Sequence, residues 1–283
     1  MKTLRIIGVP EHFNLPWHLA IEKGLFHEEG IVLEWTDIPE GTGKMSKMLG
    51  ENEADLAIIL TEGIVRSIVE GNPSKIIQNY IATPLLWGIH VGAKSPYYKL
   101  KDLDGKVSAI SRIGSGSHLM SFVNAKKQAW DINNINFNII NTLDGAIKSI
   151  TSNESDYFLW EQFTTKPLVD SGIFRFLGNC PTPWPCFVIA ASENALINKL
   201  DEIKAVLKCI NSFTREFKSI PGIDMTLANR YKQDLLDIRS WLQITEWSQD
   251  LTQTATLMEV QDTLEELNLI SHKLRPELLF TNV

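Results

Sequence analysis

Apolar residues along this chain fall into two alternating kinds of run. Short blocks of β-branched and aromatic residues at 4–8, 32–35, 56–60, 76–81, 88–91, 107–110, 137–140, 157–159, 174–177 and 187–190 read as strands. Between them, apolar positions recur at three- and four-residue spacing. Met45, Met48 and Leu49 mark one helix, and Ile64, Val65, Ile68 and Val69 mark the next. A third helix is expected over 116–130, and Ala146, Ile147 and Ile150 mark a short fourth. Such alternation predicts an α/β fold with largely parallel sheets. After about residue 190 the strand pattern stops. Ile203, Val206, Leu207, Ile210 and Phe213 share one helical face, and further helices are expected around 227–236, 238–247 and 257–267. The pattern therefore predicts two α/β blocks and a helical tail that packs on one of them.

Two stretches mark the passage between blocks. Gly88-Ile-His-Val-Gly-Ala-Lys-Ser-Pro leaves one block and enters the other. The proline-rich stretch 181–185 is followed by Phe187-Val-Ile-Ala, which can carry the chain back. Two crossings would make a two-stranded hinge. A length of 283 residues suits about two domains. The net charge of −7, with no basic run longer than Lys126-Lys127, argues against nucleic acid as a partner. No apolar run approaches the ~18–20 residues of a membrane span. Three cysteines, Cys180, Cys186 and Cys209, with no C-x-x-C pair, predict free thiols; a Cys180–Cys186 bridge is the alternative. Met1-Lys-Thr-Leu-Arg-Ile-Ile-Gly reads as the start of a strand rather than a leader. The expected location is the cytoplasm, or the periplasm if a leader has been removed.

The candidate chemistry lies where strands pass into helices. Gly114-Ser-Gly-Ser-His follows a strand and opens a helix, so Ser115, Gly116, Ser117 and His118 offer hydroxyls and unpaired N–H groups to an anion. The alternative is a plain helix cap. Gly41-Thr-Gly repeats the device with Thr42 and Gly43, and Thr61 and Glu62 stand at another strand end, where α/β ligand sites gather. His12 and Trp17 follow the first strand; burial is the competing reading for the indole, and a structural role for the imidazole. Trp160 and Glu161 end a strand, where a carboxylate beside an indole could take a cationic or hydrogen-donating ligand. Trp184 sits at the return crossing and either closes over a ligand or wedges the hinge. No nucleophile–base pair, zinc motif or cofactor fingerprint is present, so no catalytic residue, metal or cofactor is assigned.

Pro16-Trp-His-Leu-Ala-Ile-Glu-Lys-Gly-Leu-Phe-His-Glu-Glu-Gly-Ile-Val-Leu-Glu resembles the opening signature of type II periplasmic-binding-protein folds. The branch it resembles most is that of the alkanesulfonate, taurine and thiamine-pyrimidine-precursor binding proteins, in a leaderless form. Gly41-Thr-Gly-Lys-Met, Ala54-Asp-Leu-Ala, Asp102-Leu-Asp-Gly-Lys-Val, Ser111-Arg-Ile-Gly-Ser-Gly-Ser-His and Asp156-Tyr-Phe-Leu-Trp-Glu-Gln-Phe-Thr-Thr agree with it in order. The resemblance implies two lobes, each with a mixed, mostly parallel sheet, plus the helical tail. Lobe I would comprise 1–90 with 187–283, and lobe II the insert 91–186. It also implies a small anionic or zwitterionic ligand in the cleft, bound by hinge closure, with Ser111 and the residues named above around it. An ABC transporter would be the partner of an exported form, and homodimer formation is left open. Two other readings compete: a cytoplasmic enzyme of this fold, with His12 or Glu161 as acid or base, and a regulatory sensor.

Overall fold

The computed structural model describes residues 1–283. In chain order it runs β1 (Lys2–Gly8), α1 (Leu15–Glu22), α2 (Leu25–Glu28), β2 (Ile31–Asp37), α3 (Thr42–Gly50), β3 (Leu56–Leu60), α4 (Thr61–Val69) and β4 (Ser74–Ile81). Next come β5 (Leu86–Gly92), β6 (Val107–Ile110), α5 (Gly116–Lys127), β7 (Asn136–Ile139), α6 (Leu143–Thr151), β8 (Tyr157–Glu161), α7 (Gln162–Asp170) and β9 (Phe174–Pro181). The chain ends with β10 (Phe187–Ser192), α8 (Glu193–Asn198), α9 (Leu200–Glu216), α10 (Ile223–Tyr231), α11 (Leu235–Ile244) and α12 (Thr254–Glu266).

These elements form two compact units. Unit 1 is Met1–Thr83 with Trp184–Val283, and unit 2 is Pro84–Pro183. The first crossing thus precedes residue 90, because β5 pairs along its length with β8 and β9 and belongs wholly to unit 2. The second falls at Pro183/Trp184, since Thr182 N–H donates to Leu85 O in unit 2 while Cys186 N–H donates to Thr83 O in unit 1.

The sheet of unit 1 has the order β2-β1-β3-β10-β4, with β1 parallel to β2 and β3, and β10 antiparallel to both its neighbours. Its strands β3 and β10 are apolar almost throughout: β10 is buried at every residue, as expected of a strand covered on both faces. The tail packs here. α9 buries Ile203, Val206, Leu207 and Ile210, and α12 lies against α4. The outer edge of β4 is covered by two tail segments. Ala82 and Asn79 donate backbone N–H to Glu246 O and Asp250 O, and Ile76 exchanges bonds with Leu279 and Thr281. Covering removes an exposed edge that could pair with another chain. The helices expected around 227–236 and 238–247 are present as α10 and α11, each starting a few residues earlier than expected. Lys232 takes a left-handed conformation (φ 53) after α10, and Asp234 then caps α11 by accepting Leu236 N–H at 2.8 Å.

The sheet of unit 2 has the order β7-β6-β8-β5-β9, with β6 parallel to β7 and β8, and β5 antiparallel to both neighbours. Ala109, Ile140, Ala146, Ile150, Phe158 and Phe174 pack together on one of its faces. Each unit is therefore a mixed sheet with one reversed strand in five. Register sets where the chain enters and leaves. Phe187 at the start of β10 stands opposite Leu60 and Ile81, the ends of β3 and β4. Trp87 near the start of β5 stands opposite Glu161, the end of β8. Both crossings thus meet each unit at the carboxyl edge of its parallel strands, the edge at which open α/β sheets take ligands.

Candidate functional site

The carboxyl edge of unit 1 carries His12 after β1, Thr42 and Gly43 at the start of α3, Thr61 and Glu62 at the start of α4, and Trp184 before β10. Thr42 packs against α4 only because position 63 is glycine: a Cβ there would stand 2.0 Å from Thr42 Cγ2. Thr61 neither caps α4 nor offers a free hydroxyl. Leu60 is the cap residue, and Thr61 Oγ1 donates to Pro185 O at 2.5 Å, tying the return crossing to the helix. Trp184 is 1 % exposed, and its Nε1–H donates to Glu62 Oε2 at 2.9 Å. Glu62 is itself 3 % exposed. Burial pushes its carboxyl pKa up, against the pull of the indole bond, and its Oε1 has no partner.

His12 is 1 % exposed, stacked on Phe13 at 4.8 Å and edge-on to Trp241 at 4.2 Å between ring centres. Burial lowers its pKa to about 3, so the imidazole is neutral at physiological pH. Trp17 lies in the core among Phe26, Trp35 and Tyr80 with no exposed surface, out of a ligand's reach. Tyr231, Trp241 and Phe187 complete the aromatic group around His12 and Phe13, and sequence reasoning missed all three. Two come from the helical tail, and no local pattern links them to the loop after β1.

In unit 2 the turn from β6 into α5 is built by Ser111, Ser115 and Ser117. Ser117 Oγ accepts Ser111 N–H at 3.0 Å, Ser115 Oγ accepts His118 N–H at 3.3 Å, and the Ser115 and Ser117 hydroxyls are 3.0 Å apart. Gly114 (φ 76) makes the left-handed turn, and its N–H donates to His118 Nδ1 at 3.1 Å. The His118 ring packs edge-on against Phe122 and Phe137. The three hydroxyls thus serve each other and the backbone. What the turn holds out is the helix start itself, where the N–H groups of Gly116 and Ser117 have no intrahelical acceptor.

Trp160 and Glu161 do not form the joint site expected of them, because successive strand residues face opposite ways. Trp160 is half-buried against the core cluster of unit 2. Glu161 caps α7, accepting Phe163 N–H at 3.1 Å, Thr164 N–H at 2.6 Å and Thr164 Oγ1–H at 2.8 Å. Burial nonetheless raises its pKa to about 7. All three cysteines are free thiols. No group of three or more His, Cys, Asp or Glu side chains is placed to hold a metal, and no helix is long and apolar enough to cross a membrane.

The fold is that of the type II periplasmic binding proteins. Residues 87–180, nearly all of unit 2, match the family model of Ca3427-like periplasmic binding proteins. Across its whole length the chain is similar to the Candida albicans CA3427 gene product, described as having the generic periplasmic binding protein fold. The TM-score is 0.91 at 26% identity, covering 100% of this chain and 97% of that one. The alkanesulfonate-binding protein SsuA of Xanthomonas axonopodis pv. citri, bound to MOPS, superposes with TM-score 0.84 at 16% identity, covering 100% and 99%. The aliphatic sulphonate binding protein SsuA of Escherichia coli does so at 0.75 and 15%, covering 100% and 94%. At such identities the two sulfonate binders are evidence for the fold alone. No curated protein sequence matches the chain.

Proposed function

We propose that this chain is a binding protein for a small polar molecule with an anionic group, held by the carboxyl edges of both units as they close on it. The observation that carries the reading is the start of α5. There Ser111, Ser115 and Ser117 fix the turn among themselves, and the unpaired N–H groups of Gly116 and Ser117 lie at the positive end of the helix dipole. Sulfonate binders of the same fold give further support. The competing enzyme reading gains nothing from its two candidates. His12 is neutral and 1 % exposed, and Glu161 is engaged in capping α7.

The test is calorimetry with ethanesulfonate, MOPS, taurine and short carboxylates, paired with small-angle scattering. At least one anion is expected to bind and to shrink the particle. Gly116→Val, which hangs a branched side chain beside the helix start, is expected to weaken that binding more than tenfold while melting within a few degrees of wild type. Unchanged affinity in the variant removes the α5 site. Binding without compaction removes closure.

A further inference from the structure

A buried carboxyl is ordinarily satisfied by several donors, because leaving one of its oxygens bare costs the full desolvation of that atom. Glu161 obeys this rule, with three donors from the first turn of α7. Glu62 does not. Its Oε2 takes the indole N–H of Trp184, its Oε1 takes nothing, and the residue is only 3 % exposed. The arrangement is also pre-set. Trp184 is buried and fixes one oxygen, while Thr61 ties the segment carrying Trp184 to α4 through Pro185 O. The carboxyl therefore cannot simply turn its bare oxygen to water. It stands at the carboxyl edge of β3, where a ligand of this fold is expected.

We infer that Glu62 Oε1 accepts a hydrogen bond from a cationic nitrogen of the ligand, which makes the ligand class a zwitterion, an amino-substituted sulfonate or carboxylate, rather than a plain anion. This rests on the binding function proposed above and adds to it the group that unit 1 recognises. An ammonium supplies both the missing donor and the countercharge of a buried carboxylate, whereas a plain anion would be repelled by that carboxylate.

Two matched pairs isolate the nitrogen: taurine against ethanesulfonate, and β-alanine against propionate. In the wild type the ammonium-bearing member of a pair should bind roughly ten- to a hundredfold more tightly, the range expected of a hydrogen bond between charged groups. In Glu62→Gln, which keeps the shape of the side chain, that ratio should fall toward one. Should the variant fail to fold, the wild type decides the matter alone. Equal affinities within both pairs, or a ratio that Glu62→Gln leaves intact, overturn the assignment of Glu62 while the binding function stands. If none of the four compounds binds, the binding function falls and this inference falls with it.

Discussion

Asp55 precedes β3 in unit 1, and Asp156 precedes β8 in unit 2. Both fasten the same joint. Asp55 Oδ2 accepts Arg5 N–H from β1 at 2.8 Å, and Asp156 Oδ2 accepts Val107 N–H from β6 at 2.8 Å. Each aspartate returns its own N–H to the same partner's carbonyl at 2.9 Å. At the opposite ends of β3 and β8 the likeness breaks down. Both ends carry a buried glutamate, but Glu161 is absorbed by its helix and Glu62 keeps an oxygen free. The two units thus repeat each other at the amino edge, where both aspartates join neighbouring strands, and diverge at the carboxyl edge.

Glycine contacts should break the likeness most strongly. A Cβ at Gly145 in unit 2 would stand 1.9 Å from the Ile140 carbonyl oxygen, whereas one at Gly63 in unit 1 meets a side chain, that of Thr42. Gly145→Ala is expected to cost about 3 kcal/mol, since the main chain itself must move, and Gly63→Ala about 1–2 kcal/mol. Adding Thr42→Ala should recover much of the Gly63→Ala loss in urea unfolding. No second substitution of a side chain near Gly145 should do the same.

The aspartates come next. Asp55 is braced by Arg5 and Lys199 as well as by the backbone, while the side-chain partner of Asp156 is the Tyr97 hydroxyl. Asp55→Asn should therefore cost about 2 kcal/mol, and Asp156→Asn about 1 kcal/mol. The first figure lies below that for a fully buried pair because Arg5 and Lys199 remain partly in water. Burial alone would raise the Asp55 pKa, but the hydrogen bonds from Arg5 and Lys199 outweigh it and hold it below the ordinary range. The Asp55 contribution is then complete above roughly pH 4 and is lost as the pH falls through the folded value. Wild type and Asp55→Asn should converge in stability on acidification. A constant gap would remove the ionic part of the argument.

The most gradual effect, spread over several pH units, belongs to Glu161. Its folded pKa of about 7 exceeds the unfolded value, so between about pH 4.5 and 7 the native state holds a proton that the unfolded chain has released. Stability from this group is full below that window and declines as pH rises through it, with a slope of up to about 1.4 kcal/mol per pH unit. Glu161→Gln should remove that slope. Urea midpoints at pH 5, 6, 7 and 8 for both proteins measure the difference, and parallel profiles would refute the assignment.

Hydrophobic runs were enough to place all ten strands, because inner strands such as β3 and β10 are apolar on both faces and announce themselves without context. Edges were less legible. The strand read at 174–177 extends to Pro181, through polar residues such as Asn179 that an edge strand tolerates. Strand direction, and hence the reversal of β5 and β10, is not encoded in periodicity at all. The serine turn before α5 was visible because glycine and serine cluster locally. The pairing of Glu62 with Trp184 was not, since 122 residues separate them. Nor could adjacency in sequence reveal that Trp160 and Glu161 face opposite ways on their strand.

The strand order of unit 1 also has a consequence for synthesis. β10 lies between β3 and β4, yet it emerges from the ribosome only after the whole of unit 2 has been made. Nascent unit 1 must therefore wait with an empty slot in the middle of its sheet, exposing the apolar flanks of β3 and β4, while unit 2 is continuous and can close first. Chains that fold domain by domain usually finish the amino-terminal part first; here the insert would be completed before its host. Pulse-labelled hydrogen exchange during refolding should show amides of β6 and β8 protected before those of β3, and the reverse order would refute this sequence of events. Until β10 arrives, the vacant slot is the place where a stray strand from another chain could lodge, so early termination in the insert should yield aggregates rather than a half-sized soluble protein.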